Sequence, residues 1–353
     1  MKIGIDASRF GGEEATGVEW YSHHIITELV KILPATYEVV LYTRSPIRLA
    51  HGANVRVKQI ERRRLWTILG LSLEMWREKP DVLFVPSHTL PLCLAPRTVT
   101  MIHDTAFRHF RRAYGFFQYH YLNWSTKFAV KRAKKILVPS KATADDLVKL
   151  FGCRREKIVV VQHGFGVLAE AEYSDVLERF GLREKKFLLF VGRLEMKKNL
   201  QRLVEAFKFF STKYTDFYLV LAGKRGLGFQ QIWRTVVEYG LENRVIMPGY
   251  ITESEKVFLL ARCEAFVFPS LYEGFGLPLL EAFAVGKPVL CSTTPALKEV
   301  GGDSVVYCDP LDSRDIERGL EEVLAFDGEK GRARLKDFSW QKAAEETLKT
   351  LHG

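Results

Sequence analysis

Short apolar runs alternate with longer amphipathic segments from one end of the chain to the other. Runs such as FLLFV at 187–191 and AFVF at 265–268 are bounded by glycine, proline or charged residues. This alternation is typical of βα units that build a parallel sheet. Candidate strands in the first half are KIGIDA, YEVVLYT, NVRVKQI, VLFVPS, RTVTMIHD, KILVPS and IVVVQHG, and in the second half FLLFVG, FYLVLAG, RVIMPGY, AFVFPS, PVLCST and SVVYCD.

The two groups of strands predict an α/β chain with two doubly wound, Rossmann-like domains. A polar, charge-rich stretch from about Phe165 to Lys186 separates them and is interpreted as the interdomain connection. The predicted domains span 1–168 and 169–338. A helix over 339–353, with Ser339 as its N-cap, is expected to pack back on the first domain. Two such domains facing each other would form one deep ligand cleft at the carboxyl ends of their strands.

Composition narrows the class of protein. At 353 residues with 47% apolar content, the chain can bury two cores, which excludes a disordered protein. The formal net charge of +10 favours an anionic partner such as a phosphorylated ligand, nucleic acid or an acidic membrane face. Charge alone does not choose among these three partners.

Cysteine usage and the N-terminus predict a cytoplasmic protein. The cysteines form no CxxC pair and no metal-site spacing with histidine, and are interpreted as buried small residues in a reducing compartment: Cys93, Cys153, Cys263, Cys291 and Cys308. The opening MKIGIDASRF is expected to form the first strand rather than a signal peptide. No apolar run reaches the roughly 18 residues that a membrane span requires.

The stretch PSLYEGFGLPLLEAFAVGKPV at 269–289 carries the most informative chemistry. Gly274 and Gly276 interrupt a regular helix and Pro278 suits a first helical turn, which places Glu273 on a strand-to-helix loop and Glu281 near the first turn. The glycines let backbone N–H groups approach a ligand, and the helix N-terminus favours a phosphate. A carboxylate on each side could accept hydrogen bonds from a sugar and a ribose, which indicates a nucleotide sugar. The alternative is that both acids only decorate a helix start.

The same stretch resembles the donor-site motif of retaining glycosyltransferases of family 4, with the E-x7-E spacing. Further matches occur in the expected order along nearly the whole chain: IDASRFGGEEATGVEWY, MIHDTAF, VPSKATADDL, VGRLEMKKNL and GYITESEKVFLLARCEAFVFPS. The resemblance implies the GT-B fold, in which two Rossmann-like domains face each other across the ligand cleft. It also implies transfer of a sugar from a nucleoside diphosphate to a hydroxyl acceptor with retention at the anomeric carbon, by front-face transfer assisted by the departing phosphate.

The resemblance assigns four catalytic residues. It implies that Arg193 and Lys198 bind the donor diphosphate, where fixed cations stabilise the charge that grows on the leaving phosphate. Glu273 would contact the sugar hydroxyls. His103 would lie near the donor sugar and help to hold the acceptor or its hydroxyl. Next to these residues, Lys197 is interpreted as solvated, and Asp104 as orienting the backbone or the imidazole.

The remaining donor-binding residues are also carried over from the resemblance. Backbone groups around Tyr250 and Ile251 would read the edge of the base, and Glu281 would bind the ribose. Gly17, in the loop GGEEATG, would approach phosphate, with Gly12 and Thr16 as further candidates. Directly after this loop, in TGVEWY, Glu19 departs from the second glycine that the family usually has. The complete donor-binding set is Gly17, Tyr250, Ile251, Gly274, Phe275, Gly276, Leu277 and Glu281.

No metal or other cofactor is expected. The chain has no Asp-x-Asp, the carboxylate pair that usually holds a divalent cation on a nucleotide sugar in GT-A enzymes. Arg193, Lys198 and the helix dipole would take the place of the metal.

The substrates are open at this stage. The IDA…TG opening with MIHD resembles the mannosyltransferase branch, which makes GDP-mannose the leading donor, with rhamnosyl, glucosyl and N-acetylglucosaminyl donors as alternatives. The acceptor would be a saccharide or lipid-linked saccharide in cell-surface polysaccharide synthesis. Rival functions are a nucleotide-sugar epimerase of the same fold and a non-catalytic carbohydrate- or membrane-binding protein.

Two segments of the first half mix basic and aromatic residues: ERRRLWTILGLSLEMWREK and RHFRRAYGFFQYHYLNWSTKFAVKRAKK. They could lie against an anionic membrane that carries a lipid-linked acceptor, which would place the protein peripherally on the inner face of the cell membrane. Alternatively, the aromatic residues face the domain core and the arginines are solvated. Nucleic acid is not expected as a partner, because no recognised binding module is present.

Overall fold

A computed structural model describes residues 1–11, 17–49, 52–62, 64–166 and 175–353. The chain divides into two compact units, Met1–Gly164 with Phe338–Gly353, and Phe165–Asp337. The first boundary lies four residues before the predicted end of the first domain at 168, and the second lies one residue before the predicted end of the second domain at 338. The C-terminal segment therefore belongs to the first unit, and the second unit is one continuous stretch of chain.

The first unit contains a seven-stranded parallel sheet in the order β3-β2-β1-β4-β5-β6-β7. Its strands are β1 (Lys2–Asp6), β2 (Glu38–Thr43), β3 (Val55–Gln59), β4 (Val82–Val85), β5 (Arg97–Met101), β6 (Lys135–Val138) and β7 (Ile158–Val160). Its helices before the second unit are α1 (Gly17–Ile32), α2 (Ser72–Arg77), α3 (Ala106–His109), α4 (Phe116–Arg132) and α5 (Lys141–Phe151), with a π-helical segment at Trp66–Leu71 and 3₁₀ turns at Arg111–Ala113 and Arg155–Lys157.

The second unit contains a six-stranded parallel sheet in the order β10-β9-β8-β11-β12-β13. Its strands are β8 (Lys186–Val191), β9 (Phe217–Ala222), β10 (Val245–Gly249), β11 (Ala265–Phe268), β12 (Val289–Ser292) and β13 (Val306–Cys308). Its helices are α6 (Val176–Arg179), α7 (Leu200–Lys213), α8 (Phe229–Glu238), α9 (Glu253–Arg262), α10 (Leu277–Ala284), α11 (Pro295–Gly301), α12 (Ser313–Glu322) and α13 (Glu329–Arg334), with 3₁₀ turns at Met196–Lys198, Val323–Ala325 and Leu335–Asp337. Helix α14 (Trp340–His352) then returns to the first unit.

Every predicted strand is present, and the reason is visible in β2. Val39 and Leu41 belong to the core cluster on one face of the sheet, whereas Val40 and Tyr42 belong to the cluster on the other face. Side chains alternate between the faces of a strand, so a continuous apolar run is what a sheet covered by helices on both sides requires. In each sheet the strand order also reverses beside the first strand, between β1 and β4 and between β8 and β11, where α/β folds bind ligands.

The cysteine prediction holds for four of the five residues. Cys153, Cys263, Cys291 and Cys308 are buried, but Cys93 is only partly buried, and all five are free thiols. No helix in the described part of the chain is both long and apolar enough to cross a bilayer.

Helix α14 completes the core of the first unit. Ser339 caps it, as predicted, by accepting a hydrogen bond at Oγ from the backbone N–H of Lys342. Trp340 and Leu351 lie in the same core cluster as β1 and α1. A Cβ on Gly164 would lie 2.1 Å from the backbone N of Trp340, so only glycine allows this approach.

A row of stacked rings joins α1 to α14. The ring of His24 stacks on Trp20 at a centroid distance of 5.2 Å and on Trp340 at 4.9 Å, and Trp340 stacks on His163 at 6.0 Å. Burial lowers the pKa of His24 to about 4 and holds that of His163 well below its ordinary value. Both imidazoles are therefore neutral at physiological pH and pack as aromatic rings.

We expect acid to destabilise the first unit through these histidines. In the unfolded chain His24 takes up its proton near its ordinary pKa of 6.5, but in the folded unit only near 4, so stability falls as the pH drops between these values. The loss from His24 should be about 2 kcal/mol by pH 4.5. Urea midpoints measured from about pH 7 to pH 4.5 test this. His24→Phe keeps the stacked ring without the titrating group and should lose less stability over this range; an unchanged pH slope would contradict the assignment.

Candidate functional site

The stretch around 269–281 forms the predicted strand, loop and helix. Strand β11 ends at Phe268, and α10 begins at Leu277 with Pro278 in its first turn. Gly276 has φ 136°, and a Cβ there would lie 2.7 Å from Cδ2 of Leu297, so this position requires glycine. Glu273 lies on the loop as predicted. Glu281 is the fifth residue of α10 and thus lies in its second turn rather than its first.

The loop after β8 packs closely against the loop after β9. Gly192 has φ 151° and Gly223 has φ 144°, and a Cβ on Gly223 would lie 1.9 Å from the carbonyl O of Gly192. The backbone N–H of Leu194 also donates to the carbonyl O of Lys224 at 3.0 Å. These contacts fix the start of the segment that carries Arg193 and Lys198.

Asn199 joins this segment to the loop after β11. Its backbone is left-handed, at φ 61° and ψ 29°, and its buried side-chain amide donates to the carbonyls of Pro269 at 3.1 Å and Pro310 at 2.6 Å. Two residues earlier along the segment, the carbonyl O of Lys197 accepts a hydrogen bond from the backbone N–H of Leu271 at 2.8 Å. The sequence reasoning assigned no role to Asn199. Asparagine tolerates a left-handed backbone better than most residues do. An asparagine directly before a predicted helix was therefore the feature of the sequence that could have indicated a special backbone conformation here.

Lys198 and Glu273 are brought together by this arrangement. The Lys198 ammonium lies 2.5 Å from Oε1 of Glu273, and the two side chains are only 11% and 13% exposed. The same ammonium lies 4.7 Å from the centroid of the Phe268 ring. The result is a fixed cation paired with a carboxylate, 75 residues apart in the chain.

The neighbouring cations of the segment differ from Lys198. The guanidinium of Arg193 is exposed, and its Nε lies 3.9 Å from Glu195. The prediction that Lys197 is solvated is wrong: its side chain is largely buried, and its ammonium lies 3.6 Å from Glu195. Glu195 thus lies between two cations and partly balances both.

Glu281 is paired with a lysine that the sequence reasoning did not single out. Oε1 of Glu281 accepts a hydrogen bond from Nζ of Lys256, on α9, at 2.7 Å. Burial raises the pKa of the Glu281 carboxyl, and the Lys256 ammonium partly offsets this effect. Glu273 and Glu281 therefore each have a lysine partner. This disfavours the alternative that they are merely the acidic residues that are common near a helix N-terminus.

The predicted base-binding segment connects β10 to α9. Ile251 is buried in the core, whereas Tyr250 is exposed and its ring centroid lies 4.4 Å from the ammonium of Lys224. Thr252 caps α9 and forms a capping box with Glu255. Because the Ile251 side chain is in the core, only its backbone could meet a ligand, as the sequence analysis expects.

Four donor-binding candidates lie between the two acids. Gly274, Phe275 and Gly276 are buried, and Leu277 opens α10 half-buried. Phe275 packs its ring inward, so the backbone of this segment is the part that could meet a phosphate.

His103 and Asp104 lie in the first unit, directly after β5. Nε2 of His103 lies 3.1 Å from the carbonyl O of Pro86. A carbonyl only accepts, so Nε2 carries the proton and Nδ1 is left as a hydrogen-bond acceptor. Burial lowers the His103 pKa to about 4, which keeps the ring neutral. Asp104 orients the backbone by accepting a hydrogen bond from the N–H of Ala106 at 3.0 Å.

Gly17 is the first residue of α1, and a Cβ there would meet no atom of the described residues within 4 Å. Gly12 and Thr16 lie outside the described residues. Within the described ranges, no group of three or more histidine, cysteine or acidic side chains is arranged to hold a metal ion.

We expect Asn199 to stabilise the second unit in two separable ways. Asn199→Gly keeps access to the left-handed backbone but leaves two buried carbonyls without their donor, and should cost about 2 kcal/mol of unfolding free energy. Asn199→Ala should cost about 1 kcal/mol more, because alanine disfavours φ near +60°. Urea denaturation measures both values.

Arg202→Ala is the matched control, because its guanidinium contacts only the Oδ1 of Asn199 within this group, at 3.0 Å. It should change stability by less than about 1 kcal/mol. A larger loss for Arg202→Ala than for Asn199→Gly would show that the amide contacts are not what holds the two loops together.

Comparison with known proteins supports the same interpretation of both units. The model for "Glycosyltransferase Family 4" matches residues 15–166, and that for "Glycosyl transferases group 1" matches residues 177–339. The chain is 29% identical to O-antigen chain mannosyltransferase B of Escherichia coli over 371 aligned positions, which cover 94% of this chain and 95% of that protein.

Solved structures share the fold over the full length. Sucrose-phosphate synthase from Thermosynechococcus elongatus superposes with a TM-score of 0.77 at 18% identity, covering 99% of this chain and 98% of that one. Anabaena HepE in complex with UDP and glucose superposes with a TM-score of 0.73 at 17% identity, covering 100% and 99%. With one family model on each sheet-containing unit, the chain belongs to the family 4 glycosyltransferases and is a transferase enzyme with the two-domain GT-B fold.

Proposed function

We propose that this enzyme transfers mannose from GDP-mannose, with retention, to a hydroxyl of a saccharide or lipid-linked saccharide in cell-surface polysaccharide synthesis. The observation that carries the transfer chemistry is the largely buried Lys198–Glu273 pair between the loops that follow β8 and β11. The choice of mannose is supported by the sequence relationship to an O-antigen chain mannosyltransferase.

Lys198 stabilises the leaving group in this proposal. As the bond between sugar and diphosphate breaks, negative charge grows on the phosphate, and a cation already held in place stabilises it without reorganisation. In the same proposal, the exposed guanidinium of Arg193 binds the diphosphate through two parallel hydrogen bonds. Glu281 holds the ribose, and no metal ion is required.

In this proposal Glu273 accepts hydrogen bonds from the sugar hydroxyls and does not attack the anomeric carbon. One of its oxygens already accepts a hydrogen bond from Lys198, which lowers its value as a nucleophile. The neutral His103 has an acceptor nitrogen for a sugar or acceptor hydroxyl, which is the role that the family resemblance implies. These roles favour front-face transfer, in which the departing phosphate assists the incoming hydroxyl, over double displacement with an enzyme nucleophile.

We expect Lys198→Ala to lower kcat by about 10²- to 10³-fold, because the charge that develops on the diphosphate loses its fixed partner. Glu273→Ala should lower kcat/KM by at least about tenfold. Acceptor-dependent release of nucleoside diphosphate is the measurement.

Lys197→Ala is the control, since it removes an adjacent lysine whose ammonium pairs with Glu195. It should retain activity within about threefold. Turnover that survives both Lys198→Ala and Glu273→Ala, with binding of the sugar nucleotide retained, would contradict the assignment.

The donor itself is tested by a thermal-shift and turnover screen over GDP-, UDP-, ADP- and dTDP-sugars in the presence of EDTA. A ligand stabilises the folded protein by RT ln(1 + [L]/Kd), so the rise in unfolding temperature ranks the donors by affinity. GDP-mannose should give the largest rise. Turnover that requires an acceptor distinguishes the transferase from an epimerase. Loss of activity in EDTA that added metal restores would contradict metal independence.

A peripheral contact with an anionic membrane is part of the proposal, and surface exposure supports it. Phe117 on α4 is 86% exposed and Trp76 on α2 is 75% exposed, with Phe116 and Trp124 also exposed. The interpretation that all aromatic residues of these segments face the core is wrong; it holds for Trp66, which is buried.

The two exposed helices share a connecting segment. The backbone N–H of Leu92 donates to Oγ of Ser72 on α2 at 2.7 Å, and the hydroxyl of Tyr121 on α4 donates to Oγ1 of Thr89 at 3.5 Å. Basic side chains flank the aromatic ones, including Arg77 on α2 and Lys127, Lys131 and Arg132 on α4. Exposed aromatic rings with basic neighbours suit insertion at the headgroup level of an acidic bilayer.

We expect the protein to co-sediment with vesicles that contain anionic lipid and to do so less with neutral ones. Phe116→Ser with Phe117→Ser should reduce vesicle partitioning at least about tenfold, because two exposed rings lose their insertion energy. Trp233→Ser, which removes an exposed aromatic ring from α8 of the other unit, is the control and should leave partitioning unchanged. Equal partitioning of all three proteins would overturn the membrane contact.

A further inference from the structure

Lys256 is an unusual residue for its position. It is the fourth residue of α9, in the first turn, where a positive charge opposes the helix dipole, and its side chain is only 10% exposed. Burying an ammonium at a helix N-terminus is costly unless it has charged partners. The structure supplies two partners: Glu281 at 2.7 Å and Glu253 at 2.6 Å.

The two carboxylates differ in what they offer beyond this lysine. Glu253 is half-exposed and pairs with Lys256 within a single helical turn. Glu281 comes from α10, 25 residues later, and its side chain is 19% exposed. Lys256 engages Oε1 of Glu281, and no donor from the described residues reaches Oε2. One oxygen of Glu281 is thus fixed, and the other can accept a ligand hydroxyl.

The charges around this pair favour an ionised Glu281. Burial alone raises the pKa of this carboxyl, and the Lys256 ammonium acts against the rise. Burial is also the largest influence on Lys256 and acts to lower its pKa, but the two carboxylates together outweigh it, so the lysine stays charged. The nearby Glu255 is occupied elsewhere, by Arg179 at 2.5 Å and by the cap of α9.

We propose that Lys256 is a positioning residue that orients Glu281 and keeps it available as an acceptor for ribose hydroxyls, and that it thereby sets the preference of the enzyme for ribonucleoside diphosphates. This inference rests on the proposed function, in which Glu281 binds the ribose. Lys256 acts through Glu281 and does not itself contact the ligand. Its effect therefore concerns recognition of the 2′- and 3′-hydroxyls, not the diphosphate.

The test is calorimetric binding of GDP and of 2′,3′-dideoxy-GDP to the full chain, repeated with the UDP pair. The wild type should bind the ribonucleotide at least about tenfold more tightly than its dideoxy analogue, because each hydroxyl bonds to a charged acceptor. In Lys256→Met this preference should fall below about threefold, while affinity for the dideoxy nucleotide stays nearly unchanged. Lys256→Arg keeps the charge and should restore most of the preference.

Three further variants separate orientation from simple structural support. Glu281→Ala and the double variant Lys256→Met with Glu281→Ala should show the same reduced preference, because the lysine acts only through the acid. Glu253→Gln removes the other carboxylate and should keep the wild-type preference. Melting temperatures of all variants show whether each is folded.

The outcomes are distinct. Wild-type preference for the ribonucleotide in folded Lys256→Met would overturn the inference and leave the proposed function standing. A double variant that is clearly worse than Glu281→Ala would show that Lys256 contacts the ligand itself, which also overturns it. A wild type that binds none of these nucleotides would contradict the proposed function together with this inference.

Discussion

The Lys198–Glu273 pair of the second unit depends on the hydrogen bonds that the Asn199 side chain makes. Its amide donates to two backbone carbonyls, Pro269 and Pro310, that are far from it in the chain. Together with the Lys197–Leu271 backbone bond, the bond to Pro269 holds the loop that carries Glu273 beside the segment that carries Lys198. A hydrogen bond forms only over a short distance. The Lys198 ammonium can therefore stabilise the charge that develops on a phosphate only if the backbone of Lys198 is fixed in position.

The second unit uses the same arrangement twice. Glu273 and Glu281 lie eight positions apart, and each has a lysine from a different preceding segment within 2.7 Å. In both cases the lysine occupies one oxygen of the carboxylate and leaves the acid in a fixed orientation. A buried acid without such a partner would tend to take up a proton and become a donor as well as an acceptor. The two lysines thus favour the ionised, hydrogen-bond-accepting form of both acids of the E-x7-E motif.

The sequence predicted the strands, their grouping into two sheets and the strand–loop–helix geometry around Glu273, because each of these follows from local patterns. Apolar runs such as 187–191 define strands buried on both faces, and Gly276 with Pro278 defines a helix start. The pairing of Lys256 with Glu281 and the contacts of Asn199 could not be predicted, because they join residues 25 to 111 positions apart. Lys197 was misjudged for a related reason: the exposure of a side chain in a turn depends on how the turn packs.

The return of α14 to the first unit has a consequence for how the chain folds during synthesis. Trp340 and Leu351 belong to the same core as β1, but they leave the ribosome only after the whole second unit has been synthesised. The second unit, being continuous, can fold as soon as it emerges. The unit that is synthesised first is therefore completed last, and until α14 arrives the apolar faces of β1 and α1 lie open to chaperones and to aggregation.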